Sequence, residues 1–413
     1  MRVVTLSIGD ELLDGRGVDT HGAWFSRQLV LHGCEHVEHR VVSDDVSTIR
    51  DAIVHLLHDC DLLLLTGGLG PTLDDLTRDA LALVLDVGLE EDPDARDALK
   101  ARLSGSGRPL GAGNLRQIMR PVGTRFLSND KGTAPGILAH HEGVSVILLP
   151  GPPREMCAMF DVHVVPLLEG VPRERVTIRS FGLSEADAGE RLGELAQRDR
   201  QPLVCFKVSD SIVQADVLGD GAADVGERIK ALWTPFAFGD EQDTLPEVVG
   251  RSLATRHADV AVSESCTGGL LGGALTGVSG SSEFFRGGLL TYSNALKSAL
   301  LGIPEGLFET VGAVSREVAL LMAMETARRL GTTYALSTTG IAGPGGGTPD
   351  KPVGTVWIGL CDTSGSQPVV VARCFRFSGD RAQVRDRTVK SALQMLRLRM
   401  MEDESTLLWE VES

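Results

Sequence analysis

Four polar, glycine-rich segments between residues 263 and 347 carry side chains that could attack a carbonyl carbon. They contain serine and threonine hydroxyls, one thiol and one lysine but no histidine: 263–269 (SESCTGG), 279–282 (SGSS), 291–297 (TYSNALK) and 338–347 (TTGIAGPGGG). A serine needs a base at neutral pH, and a lysine that burial keeps neutral can be that base. Glycine-rich loops also let backbone N–H groups approach a phosphate. The pattern predicts nucleophilic catalysis with lysine as base, beside a phosphate site.

Two nucleophiles are candidates. Cys266 could be a thiolate at a helix N-terminus, but a lone cysteine between a strand and a helix is more often buried in the core. We therefore expect a structural role for the thiol. The second candidate is Ser282, with Lys297 as general base and Tyr292 as proton relay or as the group that orients the lysine. From the residues alone, a serine-rich helix cap and a surface lysine explain the same pattern better.

Composition excludes several function classes. The 413 residues carry a formal charge of −16, and aromatic residues are only 4% of the chain, so direct binding to nucleic acid is not expected. No apolar run is long enough to span a bilayer, and no membrane partner is expected. The seven cysteines are dispersed without a C-x-x-C pair, which favours a reducing compartment. We expect a cytoplasmic location.

The first part of the chain, 1–167, alternates strand and helix patterns. Strands are predicted at 3–8, 37–42, 61–66 and 144–149, and helices at 23–32, 46–57 and 76–85. Repeated β-α-β units predict an α/β fold with a mostly parallel sheet and helices on both faces. Functional loops should then follow the carboxyl ends of the strands.

Three further regions follow. A small α+β domain is predicted at 168–242, as a spacer or a dimerisation element, with a hairpin from 204 to 217. A C-terminal α/β domain is predicted at 243–402. The acidic tail, 403–413, is expected to lie outside this pattern and to be mobile. Strands of the C-terminal domain are predicted at 259–263, 334–337, 353–360 and 369–377, and helices at 245–257, 315–330 and 380–400.

The loop after strand 61–66 is the chemically rich part of the first domain. Its glycines could admit a phosphate, and adjacent Asp74 and Asp75 could bind a divalent ion. A glycine-rich turn before an Asp-capped helix explains the loop equally well. Three further segments accompany it: 9–15 (GDELLDG), 129–136 (NDKGTAPG) and 149–156 (LPGPPREM).

Together these four segments resemble the molybdopterin-binding-like domain at the N-terminus of the CinA (competence/damage-inducible protein A) family. The resemblance implies similarity to molybdopterin adenylyltransferases and, as in some members, a metal-dependent pyrophosphatase acting on ADP-ribose. It implies a divalent metal of unknown identity held by Asp74 and Asp75, with Glu11 and Asp44 as further acidic candidates. Residues implied to hold phosphates and nucleotide are Gly67, Gly68, Gly70, Thr72, Lys131 and Thr133. One departure is 19–21 (DTH), where the family commonly has D-T-N.

The C-terminal segments, with 312–315 (GAVS), 351–357 (KPVGTVW) and 379–381 (GDR), resemble the C-terminal domain of CinA proteins. That domain is similar to nicotinamide mononucleotide (NMN) deamidases, which release nicotinate mononucleotide and ammonia. The resemblance assigns the nucleophile to Ser282, supported by Tyr292 and Lys297, and needs no cofactor. Residues implied to bind the substrate are Ser265, Thr267, Gly268, Gly269, Asn294, Thr339, Gly340, Gly343 and Arg381.

The sequence leaves three functional hypotheses. The first is an enzyme of NAD salvage that combines NMN deamidase and ADP-ribose pyrophosphatase activities. The second keeps the deamidase and makes the first domain a nucleotide- or pterin-binding module without turnover. The third is an accessory factor in DNA uptake. The family resemblance implies a homodimer, and we expect the two copies to be joined through the middle region.

Overall fold

The computed structural model of the protein describes residues 1–105, 111–197 and 199–412. Its chain divides into two compact units, Met1–Arg173 and Glu174–Ser413. No helix in the described ranges is both long enough and apolar enough to cross a membrane.

The first unit contains eight strands and seven helices among its described residues. The strands are β1 (Arg2–Ile8), β2 (Glu35–Val42), β3 (Leu62–Thr66), β4 (Leu89–Glu91), β5 (Met119–Pro121), β6 (Arg125–Leu127), β7 (Gly136–His141) and β8 (Val144–Leu149). The helices are α1 (Asp10–Leu13), α2 (His21–Leu31), α3 (Val46–Leu56), α4 (Thr77–Val84), α5 (Pro93–Gly105), α6 (Ala112–Arg116) and α7 (Pro153–Met159).

Six of these strands form one sheet in the order β2-β1-β3-β8-β7-β6. Strands β2, β1, β3 and β8 are parallel, and the last two are antiparallel. Strand β3 is buried along its whole length, and its alternate leucines belong to two cores, one on each face of the sheet. A sheet covered on both faces explains why this strand is a continuous apolar run. The predicted mostly parallel sheet with helices on both faces is confirmed.

The second unit contains ten strands and eight helices among its described residues. The strands are β9 (Arg175–Ser180), β10 (Leu203–Ser209), β11 (Ile212–Leu218), β12 (Ala237–Gly239), β13 (Val260–Glu264), β14 (Phe285–Leu290), β15 (Tyr334–Gly340), β16 (Thr355–Asp362), β17 (Val369–Arg376) and β18 (Glu410–Val411). The helices are α8 (Glu185–Leu192), α9 (Ala222–Leu232), α10 (Leu245–Thr255), α11 (Leu270–Thr276), α12 (Asn294–Leu301), α13 (Glu305–Thr310), α14 (Arg316–Leu330) and α15 (Arg381–Met400).

Two sheets organise this unit. The first is antiparallel, in the order β10-β11-β9-β12, and contains the predicted hairpin. The second has the order β14-β13-β15-β16-β17-β18, with β14, β13 and β15 parallel and the other neighbours antiparallel. Helix α12 begins where the Ser293 hydroxyl accepts from the Leu296 N–H, and α15 begins at a capping box formed by Asp380 and Gln383.

The middle segment packs in one unit with the C-terminal part, although the sequence predicted a separate small domain. One continuous apolar core includes Trp233, Phe181 and Leu393 of α15. The buried Gln394 side chain donates to the Phe181 carbonyl at 3.1 Å. A segment of this size buries too little surface alone, so sharing a core is the stable arrangement.

The tail after residue 402 is not a free extension, which makes the predicted mobility wrong for its described residues; Ser413 lies outside them. Strand β18 pairs with β17, and Leu407 is only 2% exposed within the shared core. The Trp409 carbonyl accepts from the Arg376 N–H at 2.9 Å. An acidic residue also holds the tail, since the Glu410 carboxylate pairs with Arg373 at 3.2 Å.

We predict that Leu407→Ala lowers the free energy of unfolding by about 2–4 kcal/mol, because it leaves a cavity in a packed core. Chemical denaturation followed by fluorescence measures the change. Met401→Ala is the control, since Met401 is 44% exposed and its truncation should change stability by less than about 0.5 kcal/mol. Equal effects of the two substitutions would contradict the packed tail.

Candidate functional site

The site of the second unit centres on a buried lysine. Lys297, on α12, is 1% exposed. Its Nζ donates to Ser265 Oγ at 3.0 Å and to the carbonyl oxygens of Thr291 at 2.9 Å and Tyr292 at 3.4 Å. Burial lowers the pKa of Lys297 from 10.5 to about 8. The amine is therefore partly neutral near physiological pH, and of its three partners only Ser265 has a proton to give it.

The neighbouring thiol is not prepared for nucleophilic attack. Cys266 is 6% exposed, and burial raises its pKa to about 12. A thiol with this pKa is protonated at neutral pH, and the thiolate is the nucleophile. The expected structural role of Cys266 is supported.

A buried glutamate that the sequence analysis missed holds the loop between β13 and α11. Glu264 is 1% exposed, and its carboxylate accepts from the N–H groups of Gly269 at 2.8 Å, Leu271 at 3.1 Å and Gly272 at 2.7 Å. These are donors of the first turn of α11, which would otherwise be unpaired. The carboxylate thereby fixes Ser265 at the carboxyl edge of the sheet. Glu264 lies between two serines at the end of a buried strand, and this position in the sequence could have identified it as a residue that holds the loop.

The predicted glycines 268 and 269 make this turn possible. Their φ angles are +58° and +97°, a region that other residues rarely adopt. The backbone N–H of Gly269 is used by Glu264, so this glycine shapes the loop.

Two arginines on α15 face the same loops. Arg381 donates to the carbonyl of Gly343 at 2.9 Å and to the Tyr292 hydroxyl at 3.2 Å. Arg385, which was not predicted, donates to the carbonyl of Thr267 at 2.7 Å. Residues four apart lie on one face of a helix, so the pair forms a positive end of the site. Tyr292 itself is 60% exposed and bonds to Arg381 rather than to Lys297 through its hydroxyl.

Most of the remaining residues predicted to bind the substrate instead make contacts within the protein that stabilise the loops. Thr267 Oγ1 bonds to Thr338 Oγ1 at 2.7 Å, and Thr339 Oγ1 donates to the Ala313 carbonyl at 2.8 Å. Gly340 pairs with Val356 in the sheet. Gly343 has a φ of +81° at the turn of the glycine-rich loop, and Asn294 is exposed at the start of α12.

The predicted nucleophile Ser282 is not brought to Lys297 within one chain. Strand β14, which the sequence analysis did not predict, separates them. Its first residue, Phe285, pairs with the start of β13, and its last, Leu290, pairs with the end of β13. Six strand residues span about 17 Å. Ser282 is therefore exposed at the amino edge of the sheet, while Lys297 lies at the carboxyl edge, and no hydrogen bond joins them in the described chain.

The predicted residues of the first unit converge on one cavity of about 540 Å³. It lies at the carboxyl ends of β1, β3 and β8, as the fold predicts. Thr72 and Lys131 are not part of its lining. The predicted residues that line it are Glu11, Asp44, Gly67, Gly68, Gly70, Asp74, Asp75 and Thr133. His21, which replaces the family's asparagine, also lines the cavity and bonds to Thr66 Oγ1 at 3.1 Å.

One of the predicted metal ligands has a different use. The Asp75 carboxylate accepts from the N–H groups of Gly70 and Thr72, each at 2.7 Å, and from the Thr72 hydroxyl. Asp75 thus anchors the glycine loop. Asp44 keeps a raised pKa through partial burial and then through the nearby carboxylates of Asp10, Glu11 and Asp74, although a bond from the Asp10 N–H opposes the rise.

A divalent ion in this cavity would need several oxygen ligands from the carboxylates that line it. Across residues 1–105, 111–197 and 199–412, no three side chains of His, Cys, Asp or Glu are close enough together to hold a metal ion. The described residues therefore form no ready-made cage, and we derive no step through a metal.

Both units of the chain match known domain families. Residues 242–400 match the family model described as "CinA C-terminal domain", and residues 4–170 match that described as "Probable molybdopterin binding domain". A "Putative competence-damage inducible protein" of Moorella thermoacetica is 37% identical over 409 residues, which cover 96% of this chain and 98% of the relative. The chain belongs to the CinA family.

A second relative gives the same result. A "CinA-like protein" of Synechococcus sp. is 37% identical over 410 residues, with 96% of this CinA-family chain and 98% of the relative covered. A crystal structure of CinA from Thermoplasma acidophilum, described as of unknown function, is 34% identical and covers 40% of this chain and 97% of its own, with a TM-score of 0.38. The predicted family resemblance is confirmed.

We predict that Glu264→Ala lowers the free energy of unfolding by about 2 kcal/mol or more, because three backbone donors lose their acceptor. Thermal or chemical unfolding measures it. Glu309→Ala, at an exposed site on α13, should change stability by less than about 0.5 kcal/mol. A Glu264→Ala protein as stable as the control would show that the carboxylate does not fix the loop.

Proposed function

We propose that the second unit is an amidohydrolase that converts NMN and water to nicotinate mononucleotide and ammonia. The observation that carries the proposal is the bond between Ser265 and Lys297, an amine whose pKa burial lowers to about 8. A base of this kind can activate a hydroxyl for attack on an amide carbon at neutral pH. Membership of the CinA family agrees with this function.

The charges around the lysine suit the substrate. Arg381 and Arg385 could pair with the single phosphate of NMN through charge-assisted hydrogen bonds. The carboxamide would then lie towards Lys297. The positive nicotinamide ring withdraws electrons from the carboxamide carbon, which favours attack on it.

We assign Ser265 the role of proton relay. Its oxygen accepts from Lys297 and its hydroxyl lies 3.5 Å from the Tyr292 carbonyl, and the residue is 9% exposed, which leaves little room for an amide carbon. The attacking oxygen is that of Ser282, as the sequence predicted. Because β14 separates Ser282 from Lys297 within one chain, the hydroxyl that reaches a given Lys297 has to belong to another copy of the chain. The proton passes from Ser282 to Ser265 and then to Lys297.

The reaction then balances without another reactant. The Ser282 oxygen forms a bond to the carboxamide carbon, backbone N–H groups stabilise the oxyanion, and the carbon–nitrogen bond breaks. Lys297 returns the proton to the leaving nitrogen, which departs as ammonia. Water next attacks the ester, gives its proton back along the same path, and releases the carboxylate product.

We predict that Lys297→Met reduces ammonia release from NMN at least about 100-fold, because it removes the base while keeping the side-chain volume. For the wild type, kcat/KM should rise tenfold per pH unit up to about pH 8 and then level off, since only neutral Lys297 accepts a proton. An ammonia assay across pH 6–10 measures both.

Further variants distinguish the roles of the side chains near Lys297. Cys266→Ala should keep most of the activity, because its thiol is protonated and structural. Ser265→Ala should lower kcat more than it raises KM. Full activity in Ser282→Ala with none in Ser265→Ala would instead make Ser265 the nucleophile, and activity in Lys297→Met would refute the proposed base.

For the first unit, we propose binding of a nucleotide that carries a diphosphate, of the ADP-ribose type. The observation behind it is the glycine loop held open by Asp75 at the mouth of the cavity. Hydrolysis of ADP-ribose with a divalent metal remains a prediction from the family resemblance, and so does a binding module without turnover.

We predict that Asp75→Ala weakens ADP-ribose binding by the full chain at least tenfold, because Gly70 and Thr72 lose their anchor. Titration calorimetry measures Kd, and Asp51→Ala, at an exposed site on α3, is the control. Release of AMP when Mg²⁺ or Mn²⁺ is added, lost in Asp74→Ala, would make the unit catalytic. Unchanged binding in Asp75→Ala would contradict the loop site.

A further inference from the structure

Strand β14 is an open edge of the second sheet of its unit. It pairs with β13 on one side and ends the strand order on the other. Natural proteins usually protect such an edge with charges or a covering segment. This strand has a single charged residue, Arg286, which pairs with Asp259, and its middle contains Gly287 and Gly288. A Cβ built at Gly287 would meet nothing within 4 Å, so the face of the sheet is uncovered at this residue. Glycine inside a strand often marks the close approach of another backbone.

The chain that continues from this edge is depleted in charge. From 287 to 304 the only charged residue is Lys297, and it is buried. The outer surface of α12 instead exposes Ala295, Leu296, Ala299 and Leu300, with the two leucines 41% and 38% exposed. Leu290, at the end of β14, is 53% exposed. In a protein with a formal charge of −16, this edge has few exposed charges: Arg286 on β14, which pairs with Asp259 at 2.6 Å, and Glu283 just before the strand. An identical copy therefore meets little repulsion there.

We propose that a second copy of this chain packs against β14 about a two-fold axis, and that Ser282 of each copy completes the Lys297 site of the other. This proposal rests on the proposed amidohydrolase function, since it explains how the separated nucleophile and base meet. It places the interface at β14, not at the middle region expected from the sequence.

The symmetry follows from strand direction. A two-fold axis through the middle of β14 makes the two copies of the strand antiparallel, so the amino end of one lies beside the carboxyl end of the other. If the axis passes between Gly287 and Gly288, Leu290 lies opposite Phe285 of the partner subunit. Continuing the same register, Tyr292 lies opposite Glu283 of the partner subunit, and Ser293 opposite Ser282 of the partner subunit.

Each end of β14 has a part of the proposed site that the other end lacks. Ser282 is exposed on the short turn Ser281–Glu283 after Gly280, whose φ is +77°. Lys297, the proposed base, and Ser265, the proposed relay, lie at the opposite, carboxyl edge of the sheet. The nucleophile proposed for this site, Ser282, is missing from that edge. Bringing the edges together supplies the hydroxyl, and the proton path and bond changes are those given above.

Mixing two inactive variants tests the shared site. Ser282→Ala and Lys297→Met chains are each expected to lose at least 100-fold in ammonia release. When they are unfolded together and refolded, or co-expressed, half of the dimers contain one chain of each kind, and one of the two sites in such a dimer is intact. Activity should return to about one quarter of the wild-type value by this counting. No recovery, with mixed dimers detected by native mass spectrometry, would overturn the proposal.

A second measurement is independent of turnover. Glu283→Cys and Tyr292→Cys chains, mixed and oxidised, should form a disulfide-linked dimer, whereas each variant alone should not, because equal positions lie far from the axis. The wild-type chain, with exposed Cys205, sets the background. If NMN is not hydrolysed but the cross-link forms, the proposed function fails and the interface stands. If NMN is hydrolysed and no cross-link forms, the interface fails alone.

A matched pair of substitutions tests the surface itself. Leu300→Asp on α12 should yield monomers in light scattering and at least a tenfold loss of ammonia release. Leu232→Asp on α9 is the control, since Leu232 is 40% exposed in the same unit but away from β14. A fully active Leu300→Asp monomer would overturn the shared site.

Discussion

The burial of one amine is the constraint on which the second site depends. Lys297 is surrounded by protein on every side, and its Nζ meets two carbonyl oxygens and one serine hydroxyl. Lowering its pKa from 10.5 to about 8 corresponds to a preference of about 3 kcal/mol against the charged form. No carboxylate bonds to the Lys297 amine in the described chain, so the charged form has only neutral oxygen acceptors as partners. The proposed function uses this amine as its base, in loops that contain no histidine.

Both units use the same device to shape a loop at the end of a buried strand. In the second unit, Glu264 accepts from three backbone N–H groups and fixes the turn that presents Ser265. In the first, Asp75 accepts from the backbone of Gly70 and Thr72 and fixes the glycine loop. In each case the carboxylate holds the loop, because unpaired donors at a turn need an acceptor. Asp75 was predicted as a metal ligand, whereas Glu264 was not predicted to have any role.

The sequence predicted the scaffold better than the site. Continuous apolar runs such as Leu62–Thr66 identify buried strands, and capping residues such as Asp380 locate helix starts, so the α/β fold and most elements were predictable. Strand β14 was not, because its two glycines remove the β-branched pattern. Without that strand, Ser282 and Lys297 would be neighbours in one loop region. Family resemblance could name both residues but not the edge on which each one lies.

Direct titration of Lys297 tests the central claim. The full chain, with lysine side chains labelled with ¹³C at Cε, is followed by NMR from pH 6 to 11, and Lys297→Met assigns the signal. The account predicts one lysine that titrates near pH 8, well below the others. A Lys297 signal that shows a charged amine up to pH 10 would contradict it.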